Sequence, residues 1–113
     1  AVSLVSGFLT VKAGGENERA LVFTRAWDEI VKLGIKMGAK CETFLGLCGV
    51  GDLFLSATSL TSRNFSAGEA IARGEKVTGT VEGIFALKGL IYRAQDLHVE
   101  TPILVDMKNK MGL

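Results

Sequence analysis

The sequence predicts an all-α domain of about six helices, and three observations predict it. Apolar residues recur at three- and four-residue spacing through most of the 113 residues. Glycine and proline fall where helices stop and start: Gly38 and Gly74 close periodic runs, and Pro102, the sole proline, opens another. The one run with strand-like composition, residues 1–11, has no second strand to pair with.

Residues 1–11 are rich in Val, Leu and Phe. Lacking a partner strand, they are read as a buried helix, with Gly7 a point of close packing. From Asn17 to Met37 one apolar row runs Ala20, Phe23, Trp27, Ile30, Gly34, and a neighbouring row runs Ala26, Ile30, Leu33, Met37. Glu18, Arg25, Glu29, Lys32 and Lys36 take the other side, the pattern of a long amphipathic helix. Gly14, Gly15 and an Asn17 cap start it, and Gly38 stops it. Residues 42–59 divide into two short apolar segments around Gly49, Val50 and Gly51. Ser62 caps a helix that reaches Ala72 and ends at Gly74. Thr80 caps the next, whose apolar row is Ile84, Leu87, Ile91, Ala94. Thr101 and Pro102 start the last, which runs to about Lys108 with Ile103, Leu104 and Met107 inward.

Composition narrows the function. The chain is 48% apolar with mean hydropathy +0.33, high for a domain this small. The excess implies apolar surface meant for another domain or subunit, and it admits a homodimer. A net charge of +1, with acids and bases interspersed, argues against nucleic acid as a partner. Residues 1–11 are too short to span a bilayer and lack the leading charges of a signal peptide. Cys41 and Cys48 match no metal or redox motif and are expected as reduced thiols of a cytoplasmic protein. The glycines from Gly46 to Gly51 stand in the reverse order of a dinucleotide loop. His98, the only histidine, falls at a helix C-terminal end, where the dipole accounts for it, and no metal site is expected.

Two places carry chemistry. Asp52 and Ser56 are four apart, on one helical face, among apolar neighbours. A carboxylate there is costly unless paired or hydrogen-bonded, and spacing alone leaves a helix cap and a functional carboxylate equally open. Arg63 and Asn64 follow Ser62 in the first turn of a helix, where the dipole disfavours a cation. An anion at that end would reconcile them, with backbone N–H groups, the Ser62 hydroxyl and the guanidinium converging on one phosphate.

Taken in order, Gly49-Val50-Gly51-Asp52-Leu53, Ser62-Arg63-Asn64, Val81-Glu82-Gly83 and Thr101-Pro102-Ile103 resemble NAD(P)-dependent glycerol-3-phosphate dehydrogenases. Glu16 to Leu21 with Thr24-Arg25 is similar to the start of that family's long helix. The resemblance covers essentially residues 1–113 and implies its helical C-terminal domain, with a fold like that of the 6-phosphogluconate dehydrogenase C-terminal domain. It implies hydride transfer between C2 of sn-glycerol 3-phosphate and NAD or NADP, giving dihydroxyacetone phosphate. The active site lies between the helical domain and an N-terminal Rossmann domain, which binds most of the cofactor. Under the resemblance, Asp52 binds substrate and orients the general-base lysine. Ser62, Arg63 and Asn64 bind substrate, with Ser56 held more loosely. Arg63, Thr80 and Glu82 approach the dinucleotide. The family's base, in a Lys-Asn pair, would fall immediately before Ala1, so the isolated 113 residues are expected to be inactive. Two other readings stay open: a non-catalytic helical interaction or dimerisation module on the same scaffold, and a different two-domain dehydrogenase of the ketopantoate reductase type, which the Ser62-Arg63-Asn64 triplet disfavours.

Overall fold

The computed structural model describes residues 2–40, 42, 63–77 and 81–113. All regular structure among them is helical: α1 (Val2–Lys12), α2 (Glu16–Lys36), α3 (Arg63–Ala72), α4 (Glu82–Asp96) and α5 (Pro102–Lys110). The residues read as two short apolar segments, and the caps Ser62 and Thr80, lie outside the described residues. No described helix is long and apolar enough to cross a membrane.

α1 is the core. Every residue from Ser3 to Leu9 is buried, so the run is apolar all round because it is surrounded, not because it pairs as a strand. Its principal neighbour is α3. A Cβ on Gly7 would be driven into the Phe65 carbonyl oxygen, and one on Gly68 into the Leu4 carbonyl oxygen. The two backbones therefore touch with no side chain between them. Gly7 is the close-packing point that the sequence suggested, and Gly68 is its counterpart. Around this contact Leu4, Val5, Phe8, Leu87, Leu104 and Met107 form a nearly solvent-free core.

α2 packs through Ala26 and Leu33, with Phe23 and Ile30 partly covered, while residues 16–21 are all exposed. One assignment on this helix is overturned. Glu29, placed by periodicity on the polar side, is buried. Its carboxylate accepts hydrogen bonds from the Ile103 N–H at 2.6 Å and the Leu104 N–H at 2.8 Å. Thr101 makes no side-chain cap to α5, so the first-turn N–H groups take their acceptor from α2. The positive end of α5 favours that carboxylate. A helical wheel cannot show it, because the partner lies 74 residues away.

The helix ends mostly fall where expected. Gly38 (φ 101°) and Gly74 (φ 73°) adopt the left-handed conformation. Behind them Ala39 N–H donates to Gly34 and Glu75 N–H to Ala70. Pro102 is the first residue of α5, which runs two residues past Lys108. α2 starts at Glu16 rather than behind an Asn17 cap. Glu18 reaches back to accept from the Gly14 N–H at 2.7 Å. Val81 occupies the cap position of α4. His98 lies at the C-terminal end of α4, as the sequence suggested: it is exposed, and it takes the left-handed position after the helix at φ 56°. Its place is thus set by the helix-ending turn, where Val99 N–H donates to Ala94.

Two substitutions test this frame. Gly7→Ala forces α1 and α3 apart and is expected to cost about 3 kcal/mol or more, since overpacking a fixed backbone contact cannot relax through rotamers. Glu29→Ala leaves two first-turn N–H groups without an acceptor and is expected to cost about 1–3 kcal/mol. Thermal unfolding reads both; a melting temperature unchanged by either would show that the corresponding contact does not hold the fold.

Candidate functional site

α3 begins at Arg63 and α4 at Glu82, and a single hydrogen bond ties the two starts together. The Asn64 Oδ1 accepts from the Gly83 N–H at 2.7 Å. The N-cap residue of α4, Val81, has no side-chain oxygen to offer, and no side-chain cap forms there. Asn64 does that work from 19 residues away. Gly83 has to be glycine for this geometry, because a Cβ there would stand 2.6 Å from the same Oδ1. The Arg63-Asn64 and Val81-Glu82-Gly83 motifs, separate in sequence, are thus two halves of one contact.

The consequence is an edge with two helix N-termini side by side. Arg63 and Glu82 each immediately precede one of the bonded residues, and both are exposed. Arg73, just past the end of α3, lies near Glu69, and Arg93 lies near Asp96. Arg63 pairs with no acid of the described residues. Two positive helix ends, backbone donors and a guanidinium together favour an anion. Glu82 adds one hydrogen-bond acceptor at the same edge. For a dinucleotide, this edge fits contacts to one side of the molecule, an acceptor for its hydroxyl or amide groups and a cation for its phosphates. The described residues contain no strand-to-helix phosphate loop that would hold the whole of it.

Behind the edge lies an open cavity of about 650 Å³, whose described lining includes Val2, Ser3, Ile30, Asn64, Leu90 and Arg93. The half-buried Asn64 therefore faces two ways, capping α4 and bordering the cavity. The start of α1 opens onto the same space through Val2 and Ser3. Of the residues singled out from sequence, Arg63, Asn64 and Glu82 are brought to one edge; Asp52, Ser56, Ser62 and Thr80 lie outside the described residues. Gly83 as a partner of Asn64, and Ser3 and Arg93 as cavity residues, were not singled out. For Gly83 the signal was the Val81-Glu82-Gly83 motif itself. Ser3 and Arg93 carry none, since their place depends on how the helices cross. Among the described residues, no group of three His, Cys, Asp or Glu side chains could hold a metal ion.

Residues 1–109 match the family model described as the NAD-dependent glycerol-3-phosphate dehydrogenase C-terminus. The chain is 45% identical over 109 residues to the glycerol-3-phosphate dehydrogenase [NAD(P)+] of Carboxydothermus hydrogenoformans, an alignment covering 90% of this chain and 32% of that protein. It is 40% identical to the enzyme of the same name from Streptococcus gordonii and 38% identical to that from Lactococcus lactis subsp. cremoris, with the same coverage. The chain thus spans about a third of the length of these relatives. No solved structure matches this one significantly.

The cap function of Asn64 can be separated from any role toward a ligand. Asn64→Ala is expected to destabilise the chain by about 1–2 kcal/mol, the usual cost of a lost helix cap. Asn64→Asp keeps an acceptor and adds a charge favoured at the start of α4, so its stability should stay near wild type. Chemical denaturation of the two variants provides the comparison. Equal loss in both would mean that the amide is needed for something other than the Gly83 bond.

Proposed function

Because this chain belongs to the NAD-dependent glycerol-3-phosphate dehydrogenase C-terminal family, we propose that it is the substrate-binding half of an oxidoreductase that interconverts sn-glycerol 3-phosphate and dihydroxyacetone phosphate with NAD or NADP. The observation that carries this reading is the Asn64–Gly83 bond, which sets Arg63 and Glu82 on one edge above the cavity. In this reading the substrate phosphate lies at the start of α3, held by the Arg63 guanidinium, Asn64 and Ser62. Asp52, with Ser56 nearby, holds the glycerol end and orients the base. Glu82, Thr80 and Arg63 meet the dinucleotide, whose main binding site belongs to a nucleotide-binding domain that the longer relatives have room for. The reading also places the protein in the cytoplasm.

Oxidation at C2 requires the hydroxyl proton to leave as hydride departs, so a base must stand beside the carbon. The bound nicotinamide supplies the hydride acceptor. The family's base lysine belongs to the segment leading into α1. It is consistent with this that Val2 and Ser3 border the same cavity as Asn64. What these helices contribute is position: the phosphate is gripped at a helix N-terminus, fixing C2 and its hydroxyl relative to base and cofactor. The apolar wall from Ile30 and Leu90 helps to keep water from the reacting centre.

Arg63 provides the test, in the full-length protein carrying this chain. A charged hydrogen bond to phosphate contributes about 1.5–3 kcal/mol, so Arg63→Ala should lower kcat/KM for glycerol 3-phosphate by roughly ten- to more than a hundred-fold. Arg63→Lys should recover part of this, having the charge without the planar fork. Glycerol, which has no phosphate, should remain a poor substrate that is indifferent to the change. An Arg63→Ala enzyme with undiminished kcat/KM for glycerol 3-phosphate would remove the phosphate site from the start of α3.

A further inference from the structure

The cavity is larger than the proposed substrate. It holds about 650 Å³. Glycerol 3-phosphate has roughly ten non-hydrogen atoms and fills about 300 Å³ even at the share that a water molecule takes in the liquid. More than half of the space is left over. α4 forms one wall of it through Ala86, Gly89, Leu90 and Arg93. Their spacing puts them on one helical face, in line with Glu82 at the site edge. From Glu82 to Arg93 that face runs about 16 Å. Val2, Ile30 and Met37 line other parts of the cavity with apolar side chains, and Arg93 is the one charged side chain among its described lining.

Two residues of this wall are not explained by the fold. Gly89 lies inside α4, where glycine is disfavoured relative to alanine. Gly7, Gly68 and Gly83 each have a neighbour that a Cβ would strike, but nothing lies within 4 Å of a Cβ built on Gly89, and its φ is not left-handed. A Cβ there would only take space from the cavity. Glycine at such a place lets a ligand approach the helix backbone. Arg93 stands one turn further on. Its contact with Asp96 is loose at 3.8 Å, and both side chains are more than half exposed. The planar fork of the guanidinium is therefore available to an anion.

We infer that this wall of α4 is a second anion subsite, in which Arg93 holds a phosphate of the dinucleotide and Gly89 makes room for the part of the cofactor beside it. The inference rests on the reading of this chain as half of an NAD(P)-dependent dehydrogenase. In that reading the substrate phosphate is held at the start of α3, and the dinucleotide is the remaining anionic ligand. A whole dinucleotide is too large for the cavity, so one part of it enters. A molecule that meets Glu82 through a hydroxyl or amide reaches Arg93 along the same helical face. Arg93 is a specificity-determining residue here: it sets affinity for the cofactor and takes no part in the transfer of hydride or proton.

The test is the binding of NADH and NADPH, without substrate, to the full-length protein carrying this chain, followed by the fluorescence of the reduced cofactor. Arg93→Ala should raise Kd by roughly tenfold, as for one lost charged hydrogen bond. Arg93→Lys should recover part of this. A loss equal for NADH and NADPH assigns the pyrophosphate to Arg93, and a loss confined to NADPH assigns the ribose 2′-phosphate. Gly89→Ala should weaken binding of the same cofactor while leaving the melting temperature unchanged or higher, since alanine suits a helix better. A general loss of structure cannot produce that pair of effects. Asp96→Ala should leave binding unchanged; a loss there as large as in Arg93→Ala would trace the effect to the surface ion pair and overturn the proposal. Unchanged Kd values in both Arg93→Ala and Gly89→Ala also overturn it, and leave the Arg63 test of the reaction standing. A full-length protein that binds neither dinucleotide overturns both.

Discussion

The structure depends on the contact between α1 and α3, where backbone meets backbone at Gly7 and Gly68. Helices usually keep 8–10 Å between axes because side chains interpose; here neither partner has one at the crossing. The apolar run of residues 2–12 can be buried on all sides only because a second helix comes this close. The same contact fixes where α3 begins. Since Asn64 is in the first turn of α3, the packing of two glycines in the core sets the position of the residue that reaches α4.

A second theme is that helix starts are completed from elsewhere in the fold. α4 and α5 both begin without a side-chain cap of their own. Asn64 serves one and Glu29 the other, across 19 and 74 residues. A local cap stabilises a helix wherever that helix goes, whereas a distant cap is satisfied only when both helices are in place. Each of these bonds therefore couples the position of a helix to the fold as a whole. For α4 the coupling brings an exposed arginine and an exposed glutamate to one edge.

The family assignment and the geometry bear on different questions. The match over residues 1–109 says what kind of domain this is. The Asn64–Gly83 bond gives a physical reason for two of its motifs to occur together: an amide whose oxygen must be received where no Cβ intervenes. α4 borders this place along much of its length: Glu82 lies at the edge, and Gly89, Leu90 and Arg93 line the cavity beside Asn64.

The sequence by itself determined the helical class, the stops at Gly38 and Gly74, the start at Pro102 and the importance of Gly7, because each follows from forces acting within a few residues: period, φ preference and the missing Cβ. It also marked Arg63, Asn64 and Glu82 as residues of interest. Only the tertiary structure decided that Glu29 is buried, that Asn64 and Gly83 are partners, and that Val2, Ser3 and Arg93 border the cavity beside them. Periodicity assigns a side chain to a face but does not say what packs against that face. A carboxylate on the polar side of α2 becomes a buried cap only when the N-terminus of another helix, 74 residues on, is brought to it. Such positions are set by how the helices cross, and the crossing is set by packing that no local stretch of sequence encodes.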